Sequence, residues 1–277
     1  MNVSSLRSFA SQTLVPIRPS ESDCMLVFMP DRGGNFLYAR ELVQTLPDDI
    51  GCYGMRIPSL LLTSDEPLTF QQICAELARD LEAAAGECRL HLAGFSFAGL
   101  LAFETARALS TGPAAAEAVW LFDTRAHRLH WTSMFRHAPL RETSRLFRYF
   151  WQNWQSVIGL QKDDMMLRHP RLTTIDLMTH HVSYHQIMRR LYTAIKTYKP
   201  KPWRSAPVTL FRADKDDDTL PPFDLGWTQL TVGNAKFASL PGTHMTILKD
   251  PMCCELAVAK IYNRTREQAK DKRHGRP

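Results

Sequence analysis

No apolar stretch in this 277-residue chain reaches the roughly 18 residues that a membrane-spanning helix needs. Cysteine is sparse and unpatterned: Cys24, Cys52, Cys74, Cys88, Cys253 and Cys254 form no CxxC or other metal-ligand spacing, and most have apolar neighbours. They read as buried free thiols of a reducing, cytoplasmic compartment, which excludes a disulfide scaffold and a zinc module. Internal repeats are absent. Neither sign of charge dominates, since 34 Lys and Arg stand against 28 Asp and Glu, for a net +6. Neither a nucleic-acid nor a membrane partner is expected. The first nineteen residues lack the uninterrupted apolar core of a secretory signal, and 1–22 is read as a flexible leader and lead-in. What remains is ordinary globular composition, 44% apolar and 22% charged, in a chain long enough to bury a core without staples.

Strand and helix signals alternate through the first half. Residues 25–29 (MLVFM) form the continuous apolar run of a strand buried on both faces, and Pro30-Asp31-Arg32-Gly33-Gly34 breaks it. A helix stripe follows over 37–46, then a short strand over 52–57. Thr69 and Gln72 have capping-box spacing ahead of a helix over 70–85. Strands are expected at 89–93 and 118–122, with a helix over 97–109 between them. This order predicts an α/β domain with a mostly parallel sheet flanked by helices. The core is divided into 23–124 and 204–262, separated by a helical insertion over 125–203 that has no strand signal. Strands at 208–213 and 236–240 and a helix over 251–262 complete the core. The polar residues 263–277 are expected to be a basic, disordered tail.

The segment 90–109, LHLAGFSFAGLLAFETARAL, carries the chemistry. A strand runs into Gly94-Phe95-Ser96-Phe97-Ala98-Gly99 and leaves directly as a helix, the context of a nucleophile elbow. Ser96 is the expected nucleophile, and small residues at 94 and 98 make room for the sharp turn. A serine also needs a base and an orienting acid. His244 lies in the loop after the last strand and before the last helix, where the base belongs. For the acid, Asp123 ends a fully apolar strand, where an unpaired carboxylate would be costly. It is favoured over Asp214, Asp216, Asp217 and Asp218, which follow the next strand; Asp216 and Asp217 stand as alternatives. The oxyanion donors are expected to be the backbone amides of Phe97 and of Asp31 or Arg32, in the glycine-rich loop after the first core strand. His181 and His185 have i,i+4 spacing but lack a third ligand, and no metal or cofactor is expected.

Together these residues resemble the thioesterase domains of nonribosomal peptide and polyketide synthases. The likeness runs from about Leu14 to Tyr262. It rests on Phe28-Met-Pro-Asp-Arg-Gly-Gly34, Gly94-Phe-Ser-Phe-Ala-Gly99 with Leu101-Ala-Phe-Glu104, and Leu121-Phe-Asp-Thr124. Tyr198-Lys-Pro200, Gly226-Trp227 and Pro241-Gly-Thr-His244 extend it. Ala98 stands where the family usually has glycine, and Asp31-Arg32 is an unusual pairing for its oxyanion loop. The resemblance implies an α/β-hydrolase fold in which 125–203 is a helical lid. It also implies release of an acyl, peptidyl or polyketide chain, by hydrolysis or cyclisation, from the phosphopantetheine arm of an acyl or peptidyl carrier protein. It supports Asp123 as the acid. Competing readings are a serine esterase or lipase acting on small oxygen esters, a free-standing editing thioesterase, and a catalytically silent binding module; the intact Ser, Asp and His argue against the last.

The modest total charge hides a division. Residues 1–124 carry net −7, 125–203 net +10, 204–263 net −1 and 264–277 net +4. A strongly basic insertion over an acidic core suits docking of an acidic carrier protein, with Arg145, Arg148, Arg189 and Arg190 as the expected contacts.

Overall fold

The structure, a computed structural model, describes residues 13–58, 68–110, 112, 114–126, 184–215 and 224–273. The leader up to residue 12, residues 127–183 of the expected lid and the last four residues of the tail lie outside the described residues. Seven strands form one sheet: β1 Leu14–Arg18, β2 Cys24–Phe28, β3 Gly51–Met55, β4 Arg89–Phe95, β5 Ala116–Phe122, β6 Val208–Ala213 and β7 Ala235–Leu240. Their order is β1-β3-β2-β4-β5-β6-β7. Only the β1–β3 pair is antiparallel; all others are parallel. The helices are α1 Arg40–Thr45, α2 Phe70–Ala85, α3 Phe97–Leu109, α4 Tyr184–Thr197, α5 Trp227–Thr231 and α6 Pro251–Arg273.

Alternation within the buried strands builds two apolar layers. Met25, Val27, Leu90, Leu92, Val119 and Leu121 face α2, α3 and α4 on one side of the sheet. Leu26, Phe28, Ala93, Trp120 and Phe122 face α1 and α6 on the other. Each fully buried Val, Leu or Phe contributes about 1.5–3 kcal/mol, so the sheet is fixed from both faces. The capping box at α2 forms as its spacing predicts: Gln72 N–H donates to Thr69 Oγ1 at 3.2 Å, and Thr69 N–H donates to Gln72 Oε1 at 2.8 Å.

Three expectations change. Residues 14–18, read as part of a flexible lead-in, form the edge strand β1, and Arg18 donates to the carbonyls of Val43, Leu46 and Pro47 at the end of α1. The end of the expected lid, from Leu191 onward, belongs to the core. Leu191, Ala194, Ile195 and Tyr198 are buried with α2 and α3, and the Tyr198 hydroxyl donates to Glu104 Oε2 at 2.9 Å. Glu104 is buried, and Arg107 pairs with its other oxygen; such a charge is tolerated inside only when its oxygens are matched in this way.

The third correction concerns the tail. The final helix does not stop near Tyr262 but continues to Arg273. Its polar composition hides specific anchors. Arg89, at the start of β4, grips Asp23 with two bonds of 2.9 Å and donates a third to the Thr265 carbonyl at 2.9 Å. Gln268 Nε2 donates to the Glu117 carbonyl at 3.0 Å, and Thr265 itself is buried. Truncation after Tyr262 removes both bonds and leaves one Arg89 donor unmet. It should lower unfolding free energy by about 2–4 kcal/mol in urea titrations, whereas a disordered tail would leave the curve unmoved.

Candidate active site

The carboxyl end of β4 and the first turn of α3 meet at Ser96, whose backbone is held at φ 52°, ψ −115°. A non-glycine residue with positive φ is strained. Here the strain is sustained because Ser96 N–H still donates to the Phe122 carbonyl at 2.9 Å, while its own carbonyl receives Gly99 N–H at 3.2 Å. The turn dictates its neighbours. A Cβ on Gly94 would lie 2.2 Å from the Ala98 carbonyl oxygen, and one on Gly99 would lie 1.9 Å from Thr124 Oγ1. The methyl of Ala98 is accommodated in the core, so the turn tolerates alanine at this position. Ser96 occupies the N-cap position of α3 yet makes no side-chain capping bond. A serine there ordinarily accepts from the helix amides; this hydroxyl is left for other work.

Asp123 follows β5, at φ 43°. Its amide donates to the Phe211 carbonyl at 2.7 Å. Its Oδ1 receives Ala213 N–H at 3.2 Å, and Oδ2 lies 2.6 Å from His244 Nδ1. The His244 ring also packs on Phe95, the residue directly before Ser96, with centroids 4.7 Å apart. Phe95 was not singled out from sequence; its place one residue before the nucleophile, at the strand exit, is the signal that could have found it. The His244 loop is fastened below by buried Ile247 and Leu248 and internally by Thr243 N–H donating to Thr246 Oγ1 at 2.9 Å.

Of the alternative acids, Asp216 and Asp217 lie outside the described residues. Asp214, from the same run, does a different job. Its Oδ1 receives Gly242 N–H at 3.1 Å, while Lys215 N–H donates to the Gly242 carbonyl at 3.0 Å. It clasps the loop that carries His244.

The glycine-rich loop after β2 narrows the expected oxyanion donors. Asp31 N–H is already given to the Asn35 carbonyl at 2.7 Å, and Gly34 N–H to the Asp31 carbonyl. Gly33 N–H and Asn35 N–H converge on Asp31 Oδ1 at 2.7 and 3.2 Å. Asp31 is therefore not available as a backbone donor, and Arg32 is the loop residue whose amide has no partner among the described residues. Burial pushes the Asp31 carboxyl up to about 6, against the pull of its two amide bonds. The Arg32 guanidinium lies over the Phe97 ring, 5.8 Å from its centroid.

Other sequence-selected groups fall elsewhere. Arg145, Arg148 and His181 lie outside the described residues; Arg189 and Arg190 sit on α4, and the Arg190 side chain is half-buried. His91 is fully buried and accepts from Trp120 Nε1 at 3.3 Å, and burial pushes its pKa below the ordinary imidazole value. No group of three metal-ligating side chains occurs among the described residues, and no described helix is long and apolar enough to cross a membrane. Two surface grooves, of about 470 and 600 Å³, lie at the amino ends of the strands, away from Ser96.

The thioesterase domain family model matches residues 25–263. No curated protein matches the chain. Among solved structures, the Vlm2 thioesterase domain bound with a dodecadepsipeptide is 19% identical over 96% of this chain and 100% of that one, with a TM-score of 0.59. The NocB thioesterase domain in covalent complex with a fluorophosphonate nocardicin G analogue is 18% identical over 90% of this chain and 98% of that one, with a TM-score of 0.62. The four-domain nonribosomal peptide synthetase AB3403, bound to AMP and glycine, is 18% identical with a TM-score of 0.62; the match covers 96% of this chain and 20% of the synthetase. This chain thus spans about a fifth of that synthetase's length. At such identities the likeness establishes the fold, the α/β-hydrolase fold of thioesterase domains. With the family model matched from the first core strand to the final helix, the chain belongs to the thioesterase domain family.

Proposed function

We propose that this chain is a serine thioesterase that releases an acyl, peptidyl or polyketide chain from the phosphopantetheine arm of a carrier protein. The observation that carries the reading is the 2.6 Å Asp123–His244 contact, in a fold that also holds a strained, uncapped serine at a strand-to-helix turn. With Nδ1–H donated to Asp123, the neutral imidazole has its lone pair at Nε2. His244 takes the Ser96 proton as Oγ attacks the thioester carbonyl, and Asp123 stabilises the imidazolium that results. The oxyanion is held by the amides of Phe97 and Arg32, each such donor being worth about 3 kcal/mol. Collapse breaks the C–S bond, and the leaving thiolate takes the proton from His244. The base then activates water, or a hydroxyl or amine of the acyl chain, to free an acid or a ring.

The carrier protein enters on two grounds. Its pantetheine arm is the thioester donor appropriate to a thioesterase domain of the synthase type, and about a fifth of AB3403, a nonribosomal peptide synthetase, shares this fold. The net +10 of residues 125–203 favours an acidic partner.

The test is hydrolysis of an acyl-N-acetylcysteamine thioester. Ser96→Ala should lower kcat about ten-thousand-fold or more and Asp123→Asn about a thousand-fold or more. Asp214→Asn and Asp217→Asn should each cost about tenfold or less. A large loss at Asp217 with little at Asp123 would transfer the acid to the β6 loop.

Asp31 gives a second prediction. Its carboxyl titrates at about 6 in the fold against 3.8 ordinarily, so the folded state binds this proton more tightly than the unfolded chain does. Stability is therefore lost as pH rises from about 4 to about 6, by about 3 kcal/mol. Asp31→Asn keeps an oxygen for the Gly33 and Asn35 amides and removes the charge. In denaturant titrations it should be more stable than the parent at pH 8, and the gain should vanish near pH 4.

A further inference from the structure

We propose that Arg32 makes this thioesterase select acyl groups that carry a negative charge close to the thioester carbonyl. The inference rests on acyl transfer at Ser96 and adds a substrate class to it. The two charges of the Asp31-Arg32 pair have different partners. Asp31 points into its own loop, where Oδ1 binds the Gly33 and Asn35 amides. Arg32 is exposed, with its guanidinium resting on the ring of Phe97, the residue directly after the nucleophile. Because its backbone amide is also the oxyanion donor, its guanidinium is within one side-chain length of the reacting carbonyl.

No acid neutralises it among the described residues. The two carboxylates nearest the chemistry are engaged elsewhere, Asp31 in the loop and Asp123 with His244 and Ala213. A guanidinium held only by a cation–π contact is easily recruited, since a carboxylate offers it two charge-assisted hydrogen bonds. The phosphate of the pantetheine arm is a poorer match for this position than a charge on the acyl group. Fully extended, the arm spans about four peptide units, roughly 14 Å, which puts its phosphate away from a thioester seated at Ser96. The charge is therefore assigned to the acyl chain.

The test uses two N-acetylcysteamine thioesters, which lack any phosphate: adipoyl, with a free carboxylate, and its monomethyl ester. The intact protein should show kcat/KM about tenfold or more higher for the carboxylate, and 0.5 M salt should compress the ratio. Arg32→Gln should reduce the ratio of the two kcat/KM values about tenfold, and Arg32→Lys should keep part of it. An intact protein indifferent to the charge would overturn the proposal, as would an Arg32→Gln variant that slows both substrates equally. If neither thioester is consumed, the thioesterase reading itself fails; if both are consumed without preference, only the role of Arg32 does.

Discussion

The bend at Ser96 is the constraint on which the rest of the site depends. A serine at positive φ costs on the order of 1–3 kcal/mol, and the surroundings must make up that amount continuously. They do so from three directions. The Ser96 amide stays in register with β5, α3 begins without a connecting loop, and the absence of Cβ atoms at Gly94 and Gly99 lets the Ala98 backbone and Thr124 close in. Thr124 is held in turn through Trp227, whose Nε1 donates to its carbonyl at 2.7 Å. The hydroxyl stands at the crest of this turn, above the amides that open a helix.

Parallel pairing then brings the remaining groups to it. β2, β4, β5, β6 and β7 are successive neighbours in the sheet, so the residues that leave their carboxyl ends line one edge. β2 supplies the loop with Asp31 and Arg32, β4 the serine and β5 the aspartate. Asp214, after β6, clasps the loop that brings His244 up from β7. Side chains more than two hundred residues apart in sequence are thus assembled by strand order, at the end of the sheet where ligands of α/β folds bind.

Much of this was legible in the sequence because the signals were strong and local. Buried parallel strands announce themselves as runs such as MLVFM and AVWLF, and Gly94, Ser96 and Ala98 mark the turn by size. Asp123 was legible because an acid at the end of an apolar strand demands a partner. What was hidden depended on contacts distant in the chain. The polar stretch after Tyr262 has a disordered composition, and the contacts that fasten it to the core come from Arg89 and Glu117, far away in sequence. The inward turn of Asp31 is equally invisible, since nothing in Pro-Asp-Arg-Gly-Gly says which amides the carboxylate will take. Nor could spacing reveal that Asp214 would bind Gly242 while Asp123 took the histidine, because both follow adjacent strands of similar character.

The central claim is that Ser96 is the nucleophile. Its most direct test is mass spectrometry of the tryptic digest after reaction with an acyl thioester or a fluorophosphonate. One adduct per chain is predicted on the peptide 90–107, which holds Ser96 as its one serine, with fragment ions that place the added mass on that residue. An adduct on a different residue, or thioester turnover that leaves residues 90–107 unlabelled by either reagent, would contradict it.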